Sequence, residues 1–256
     1  FPALNNLAIC YLAEQNIDAA KYYFEQALKQ EPNNEAIEYS LNAISGGGFL
    51  KGAPKQYIKN LFDSYADHYE QHLTQGLEYI VPQNLKKTIE EKIKKRQPKW
   101  RILDLGCGTG LCGPLFKPWA YELIGVDLSP KMLKMAEEKE CYSTLIEAEN
   151  SEYLSDKKCC FDLILSADVF IYQGDLRHIL SACFGALSAG GFLAFSTETN
   201  EGEGFALQPT GRFSHAKGYI LKLAQDVGFK NIASTIKATR SQRDERLKGH
   251  YFLMQK

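Results

Sequence analysis

The stretch Leu103-Asp104-Leu105-Gly106-Cys107-Gly108-Thr109-Gly110 constrains the fold more than any other part of the chain: an apolar run of strand length passes straight into a glycine-rich turn, with a helical pattern behind it. Glycines at such a turn let the backbone approach a ligand closely and adopt positive φ without a Cβ clash. The same alternation continues downstream. Strands are expected at Arg101–Leu105, Glu122–Asp127, Thr144–Glu147, Phe161–Ala167, Gly191–Ser196, Asn231–Thr239 and Tyr251–Gln255, with helices at Cys112–Trp119, Pro130–Lys139, Arg177–Ala186 and Ala216–Val227. Strands alternating with helices imply an α/β fold, a mostly parallel sheet covered on both faces. Only the polar loop Arg240 to Gly249 separates the last two strands, so these form an antiparallel hairpin at one edge.

Gly108, Gly110 and Gly113 also satisfy G-x-G-x-x-G, a dinucleotide pattern that is weak by itself. The carboxylate discriminates. Asp104 ends the first strand two residues before the glycines, where it repels a pyrophosphate but attracts an α-ammonium and a sulfonium. This favours S-adenosylmethionine over NAD. Asp127 closes the next strand about twenty residues on, where a carboxylate can accept both ribose hydroxyls. Leu128 and Met132 are placed to flank an adenine, and Glu149 and Asn150, after the third strand, to read its amino edge. Each alone is equally a strand-end cap or turn residue; four in register on successive strands point to one site.

The first forty-five residues are of another kind. Leu7, Ala8, Tyr11, Ala20, Phe24, Ala27 and Pro32 fall on two helical stripes separated by a turn at Gln15-Asn16, an αα-hairpin resembling the tetratricopeptide repeat, with Leu4 in place of the usual Trp. A third helix, Asn34 to Ile44, opens another repeat that Gly46-Gly47-Gly48 stops. A fragment this small either continues upstream or leans on the domain that follows. The expected division is a repeat fragment over 1–45, a linker over 46–56 and a catalytic-type domain over 57–256, the last beginning with helices Gln56–Leu73 and Pro82–Arg96. The chain opens on Phe1, not Met, as a piece of something longer does.

From about Tyr57 to Lys256 the chain resembles the class I S-adenosylmethionine-dependent methyltransferases. Leu61-Phe62-Asp63-Ser64-Tyr65-Ala66, Gly110-Leu111-Cys112-Gly113-Pro114-Leu115, Ala167-Asp168-Val169-Phe170-Ile171-Tyr172 and Gln208-Pro209-Thr210-Gly211-Arg212-Phe213 resemble bacterial methyltransferases carrying tetratricopeptide repeats. The resemblance implies a Rossmann-like seven-stranded sheet with an antiparallel edge strand, and S-adenosylmethionine as cofactor with S-adenosylhomocysteine as product. It places the cofactor on Asp104, Gly106, Cys107, Gly108, Gly110 and Asp127, beneath a helix whose Tyr65 and Tyr69 touch the methionyl end. It names no acceptor.

Methyl transfer from a cationic sulfur needs placement above all. An amine or hydroxyl acceptor must also lose a proton, and Asp168, Tyr172 and His215 stand where they can assist, on the carboxyl-end rim. The long connection Glu201 to Tyr219 reads as an unstructured acceptor loop, with Arg212 for an anionic group, Phe213 for an apolar or planar part and Tyr219 as a further acceptor-binding candidate. His68 and His72, i and i+4, lack a third ligand, so no metal is assigned.

Composition closes off other classes. A formal net charge of −1 gives no general attraction to nucleic acid, and the cations between Lys86 and Arg101 suit a solvated helix end. Seven cysteines without a C-x-x-C pair suit reduced thiols and a cytoplasmic, unexported protein, and no apolar run is long enough for a membrane span. Partners are then a small-molecule or protein acceptor, and a protein docked on the repeat. The rivals are a cofactor-binding interaction module that transfers nothing and an NAD oxidoreductase, the latter disfavoured by Asp104.

Overall fold

A computed structural model describes residues 2–46, 51–93, 99–242 and 245–256. Three helices lead: α1 (Pro2–Ala13), α2 (Ile17–Gln30) and α3 (Glu35–Ser45). Their starts are written locally. The Asn16 side chain accepts from the Ala19 N–H, and that of Asn34 from the Ala36 and Ile37 N–H groups, satisfying donors that a first turn leaves free. Of the expected positions Ala8, Phe24 and Ala27 enter their shared core, joined there by Ile37, whereas Leu7 is exposed. Of the triglycine stop, Gly46 takes the left-handed conformation that ends α3, while Gly47 and Gly48 lie outside the described residues.

Next come α4 (Lys55–Gln71), a π-helical turn (His72–Gly76) and α5 (Val81–Lys92). The expected end of α5, Lys94 to Arg96, lies outside the described residues, and so do three cations of the basic run. Of the others, Arg101 pairs with Glu122 at 2.5 Å and Lys86 lies over the Trp119 ring.

All seven expected strands form, as β1 (Trp100–Leu105), β2 (Ala120–Asp127), β3 (Thr144–Glu147), β4 (Phe161–Ser166), β5 (Leu187–Asn200), β8 (Lys230–Gln242) and β9 (Glu245–Gln255). The helices between them are α6 (Gly113–Phe116), α7 (Pro130–Glu137), α8 (Asn150–Leu154), α9 (Arg177–Ala186) and α10 (Lys217–Val227). α6 is shorter than expected and passes into a 3-10 turn at Lys117–Trp119, because Pro118 supplies no N–H to prolong it. β3, β2, β1, β4 and β5 pair in parallel in that order; β9 runs antiparallel to β5, and β8 antiparallel to β9. Successive residues feed opposite faces. Leu103 and Leu105 join Ile179, Leu180 and Ile220 of α9 and α10 on one side, and Ile102 joins Val81, Leu85 and Ile89 of α5 on the other.

The connection after β5 departs from expectation. It is not an unstructured loop: β6 (Phe205–Leu207) and β7 (Phe213–Ala216) form an antiparallel hairpin, giving nine strands among the described residues. Glu198 pairs with Gly249 of β9 and also with Ser214 of β7, so these two strands occupy opposite edges of β5. β7 therefore takes over the edge that β4 leaves at Ser166, and the hairpin stands above the loop that follows β4.

The helical fragment docks on this hairpin. Tyr39 of α3 is buried, its hydroxyl donates to the Gly211 carbonyl at 2.8 Å, and its ring lies 4.8 Å from that of Tyr57 and 6.5 Å from that of Phe213. Tyr39→Phe, which removes one buried hydrogen bond, should cost about 1 kcal/mol, and Tyr39→Ala about 3–5 kcal/mol, in urea unfolding. Parent-like stability of Tyr39→Ala would show that the contact does not hold the fragment.

Candidate functional site

The carboxyl ends of β1, β2 and β4 open beneath α4 into a cavity of about 640 Å³. Gly106, Gly108, Asp127, Leu128, Ala148, Glu149 and Asn150 line one part; Phe62, Tyr69, Asp168, Val169, Tyr172, Gln173 and His178 line the other, with Lys55 and Ile58 above. The backbone at Gly108 has φ +54, and a Cβ there would meet no atom of the protein within 4 Å. That empty space is where a ligand can approach the main chain. The Gly108 N–H donates to Asp127 Oδ2 at 2.8 Å and the Ser129 N–H to Oδ1 at 2.9 Å. Asp127 is thus clamped against the glycine turn while each oxygen keeps a lone pair for a hydroxyl.

A small side space leads down to Asp104 between Tyr69, Tyr79, Gly106, Cys107, Gly108, Thr109 and Cys112. Asp104 is 1% exposed. Its Oδ2 accepts from the Tyr142 hydroxyl at 2.6 Å, whereas its Oδ1 is buried without a partner, as is the Thr109 hydroxyl beside it. Burial pushes the Asp104 carboxyl up to about 7, against the Tyr142 bond, which lowers it. A cation suits that orphaned oxygen and a pyrophosphate does not, so the donor set fits an α-ammonium at this end and a ribose at Asp127.

Several expected site residues stand elsewhere. Met132 is fully buried in α7 and does not line the cavity. Tyr65 packs edge-on against Tyr69 at 5.5 Å and is likewise not a lining residue. Gly110 faces away from the ligand: a Cβ there would come within 3.0 Å of the Tyr142 ring. Glu149 lines the cavity but also caps α8 by accepting from the Glu152 N–H at 2.9 Å. Cys107 lines the side space, its thiol pushed up by burial.

The acceptor-side expectations need more correction. His215 is fully buried; its Nε2 faces the carbonyls of Gln173 and Gly174 at 2.9 and 3.1 Å and must be the protonated nitrogen, and burial pushes the imidazole down to about 4. Its remaining lone pair, on Nδ1, is buried, so His215 ties β7 to the loop after β4 and reaches no substrate. The Tyr219 hydroxyl donates to Asp175 and accepts from the Leu176 N–H. Phe213 packs on Tyr39 and Phe205. Arg212 lies 3.5 Å from Glu198, which also accepts from Arg240 at 2.8 Å; burial disfavours its charge, but Tyr172 and Glu198 hold it on. None of these four lines the cavity.

Asp168 and Tyr172 do. Asp168 has φ +56, donates its N–H to Ser196 Oγ at 2.9 Å and accepts from that hydroxyl at 2.8 Å, with Arg240 at 3.8 Å from its other oxygen. Burial raises its carboxyl, and Arg240 pulls it back. Phe62, Val169, Gln173 and His178 were not among the expected site residues, although Phe62 and Val169 stand inside segments that carry the resemblance. Phe62 carried a further signal, since Ile58, Phe62, Tyr65 and Tyr69 repeat at three- and four-residue spacing on one face of α4.

Residues 103–195 match the family described as "Methyltransferase domain" and residues 1–34 that described as "Tetratricopeptide repeat". A ubiquinone biosynthesis O-methyltransferase of Nitrobacter winogradskyi is 31% identical over 117 residues, 42% of each chain, so the match spans less than half of that relative's length. The fold is similar to that of the 1,6-didemethyltoxoflavin-N1-methyltransferase of Burkholderia thailandensis, with TM-score 0.61 and 15% identity over 82% of this chain and 93% of the other. It is also similar to the magnesium protoporphyrin IX methyltransferase of Synechocystis PCC 6803, solved with bound S-adenosylmethionine, with TM-score 0.59 and 20% identity over 79% and 96%.

Burying an ionised Asp104 costs the empty fold. A carboxyl whose ionisation rises from 3.8 to about 7 on folding is most favourable below 3.8 and loses its contribution as pH climbs to 7. Asp104→Asn should therefore raise the melting temperature of the ligand-free protein, and by more at pH 8 than at pH 5, with a gain on the order of 1 kcal/mol per pH unit inside that window. A pH-independent effect in calorimetry would contradict the buried charge.

Proposed function

We propose that this chain, an S-adenosylmethionine-dependent methyltransferase domain behind a tetratricopeptide-repeat fragment, transfers a methyl group to an acceptor held between α4 and the loop after β4. The observation that carries the proposal is the pairing of an orphaned, buried carboxylate at Asp104 with a clamped one at Asp127 across the open backbone of Gly108. When bound, the cofactor supplies a methyl group on a cationic sulfur, an electrophile that needs no further activation.

The chain's residues then have to bind, orient and keep out water. Asp104 takes the ammonium and Asp127 the ribose hydroxyls, while Leu128, Ala148 and Asn150 bracket the base. Tyr69 and Phe62 of α4, whose rings meet edge-on at 6.0 Å, cover the middle of the cavity where the methyl group would lie. Phe62 also meets Tyr172 edge-on at 5.6 Å, and the two rings with Val169 form an apolar wall for the acceptor. Holding two reactants in line is worth effective molarities of about 10⁵ M or more, so such a wall accounts for much of the catalysis required. Where the acceptor must lose a proton, Asp168 is the base we assign, with Tyr172 orienting the acceptor; a carboxylate acceptor needs neither.

The acceptor we favour is a small molecule methylated on oxygen, by analogy with the ubiquinone-biosynthesis relative. We further propose that 1–45 is a docking fragment and 57–256 the catalytic unit, and that the protein works in the cytoplasm. Seven free cysteines support that compartment, and no helix among the described residues is long and apolar enough to cross a membrane.

Asp127→Ala should weaken both S-adenosylhomocysteine and adenosine by about 10-fold or more in calorimetry, because the lost contacts are to ribose and leave buried donors unpaired. Unchanged affinity for both would remove Asp127 from the site. A labelled methyl donor screened against phenolic and carboxylic acceptors tests transfer itself. Tight cofactor binding with no transfer to any acceptor or protein extract would favour the interaction module.

A further inference from the structure

The glycines after β1 do two different jobs. Gly108 faces open space, but Cβ atoms at Gly110, Gly113 and Gly125 would each come within 3.0 Å of the same ring, that of Tyr142. Two of these glycines belong to the G-x-G-x-x-G pattern and the third lies in β2, so one aromatic side chain thirty residues from the turn fills much of the space that three glycines leave, with Cys141 beside it at Gly113 and Leu145 and the Cys107 sulfur beside it at Gly125. The ring's position is fixed from its own side as well. Ser143, the next residue, donates its N–H to the Leu123 carbonyl at 2.7 Å, and its hydroxyl oxygen accepts from the Leu123 N–H at 3.2 Å. From this seat the phenol hydroxyl donates to Asp104 Oδ2 at 2.6 Å.

We propose that Tyr142 is the positioning residue of the ammonium site: its hydroxyl holds one oxygen of Asp104 so that the other, Oδ1, is presented unpaired to the cofactor's amino group. The inference rests on the cofactor reading above and adds a residue outside the motif. A carboxylate with both oxygens free can rotate about its own bond and turn a lone pair toward any donor. With Oδ2 taken by a phenol in a fixed ring, only Oδ1 remains, at the floor of the side space.

The bond also works on the charge of Asp104. Burial and the nearby Asp127 raise its carboxyl, while the Tyr142 hydroxyl and the Cys112 thiol lower it; Cys107, Tyr69 and Tyr79 complete its surroundings. An ammonium is bound by the ionised carboxylate. Affinity for the amino-acid end should accordingly rise with pH through Asp104's ionisation, and losing the phenol should move that rise to higher pH.

Tyr142→Phe keeps the ring in its seat and removes only the hydroxyl, and two probes separate the outcomes. S-adenosylhomocysteine carries the amino group; adenosine lacks it and reports on the Asp127 half alone. At pH 7 the variant should bind S-adenosylhomocysteine about 10-fold more weakly, with adenosine affinity unchanged, and its affinity curve between pH 5.5 and 9 should lie at higher pH than the parent's. Asp104→Asn should give weak binding with no such curve. Equal loss of both probes, or a parent-like pH curve for Tyr142→Phe, would reduce Tyr142 to a packing residue and overturn the proposal. A parent protein that binds neither probe would instead refute the cofactor reading itself.

Discussion

A carboxylate buried at the end of β1 is the constraint around which the site is built. Asp104 sits where the strand stops and the glycine turn begins, out of contact with water, and one of its oxygens, with the Cys112 thiol nearby, is hydrogen-bonded by no N–H or O–H donor. Such a group is a cost to the empty fold and an attraction for a cation, so the same residue that binds also destabilises. Around it the chain arranges aromatic groups that lower the local dielectric without neutralising the charge: Tyr69 and Tyr79 at the side space and Tyr142 on the far oxygen. Asp127 is treated oppositely. Two backbone N–H groups fix it near the cavity, which suits a neutral diol better than an ammonium.

What could be read from the sequence was what the sequence encodes locally. β1 and its turn form a continuous signal, Asn34 caps α3 from the adjacent residue, and Asp127 ends its strand within the same short segment that clamps it. The sheet followed because alternation alone implies parallel pairing. The acceptor side failed for the opposite reason. Arg212, His215 and Tyr219 are residue types with catalytic reputations, but their polar atoms are spent on Glu198, the Gln173 and Gly174 carbonyls, and Asp175. Those partners lie between 14 and 44 residues away along the chain, and a single sequence carries no sign of them. The hairpin was missed likewise, since β7 exists only because β5 runs on to Asn200, past the end of β4. Gly110 and Gly113 carried a true signal with the wrong object, a protein ring instead of a ligand.

The cover over the site is fastened differently from its floor. α4 is joined to the domain by ion pairs, the exposed Lys55 with Glu152, the half-exposed Lys59 with Glu147 and the more buried Glu70 with Lys139. Ser129 adds a hydrogen bond to Asp63 at 2.5 Å. Surface pairs of this kind are worth about 0–1 kcal/mol each. The apolar face of α4 adds more, since Phe62 meets Tyr172 edge-on at 5.6 Å, Tyr57 meets Tyr39 at 4.8 Å and Ala66 is 1% exposed, while Asp104 and Asp127 are set in the sheet and the glycine turn.

The helical fragment is tied to the same region by a continuous series of contacts. Tyr39 of α3 holds the Gly211 carbonyl; Arg212, the next residue, lies against Glu198; Glu198 accepts from Arg240; and Arg240 stands 3.8 Å from Asp168, which lines the cavity. Arg240 is only 6% exposed, and Glu198 sits where β5 is paired on both edges, so the middle of this series is rigid. Rigid, charge-paired links transmit a displacement where loose loops absorb it. A fragment that merely tethered the protein to a partner would need no such connection. Its placement makes the helical fragment part of the scaffold behind the loop after β4, so a shift of α3 bears on a unit already joined to Asp168.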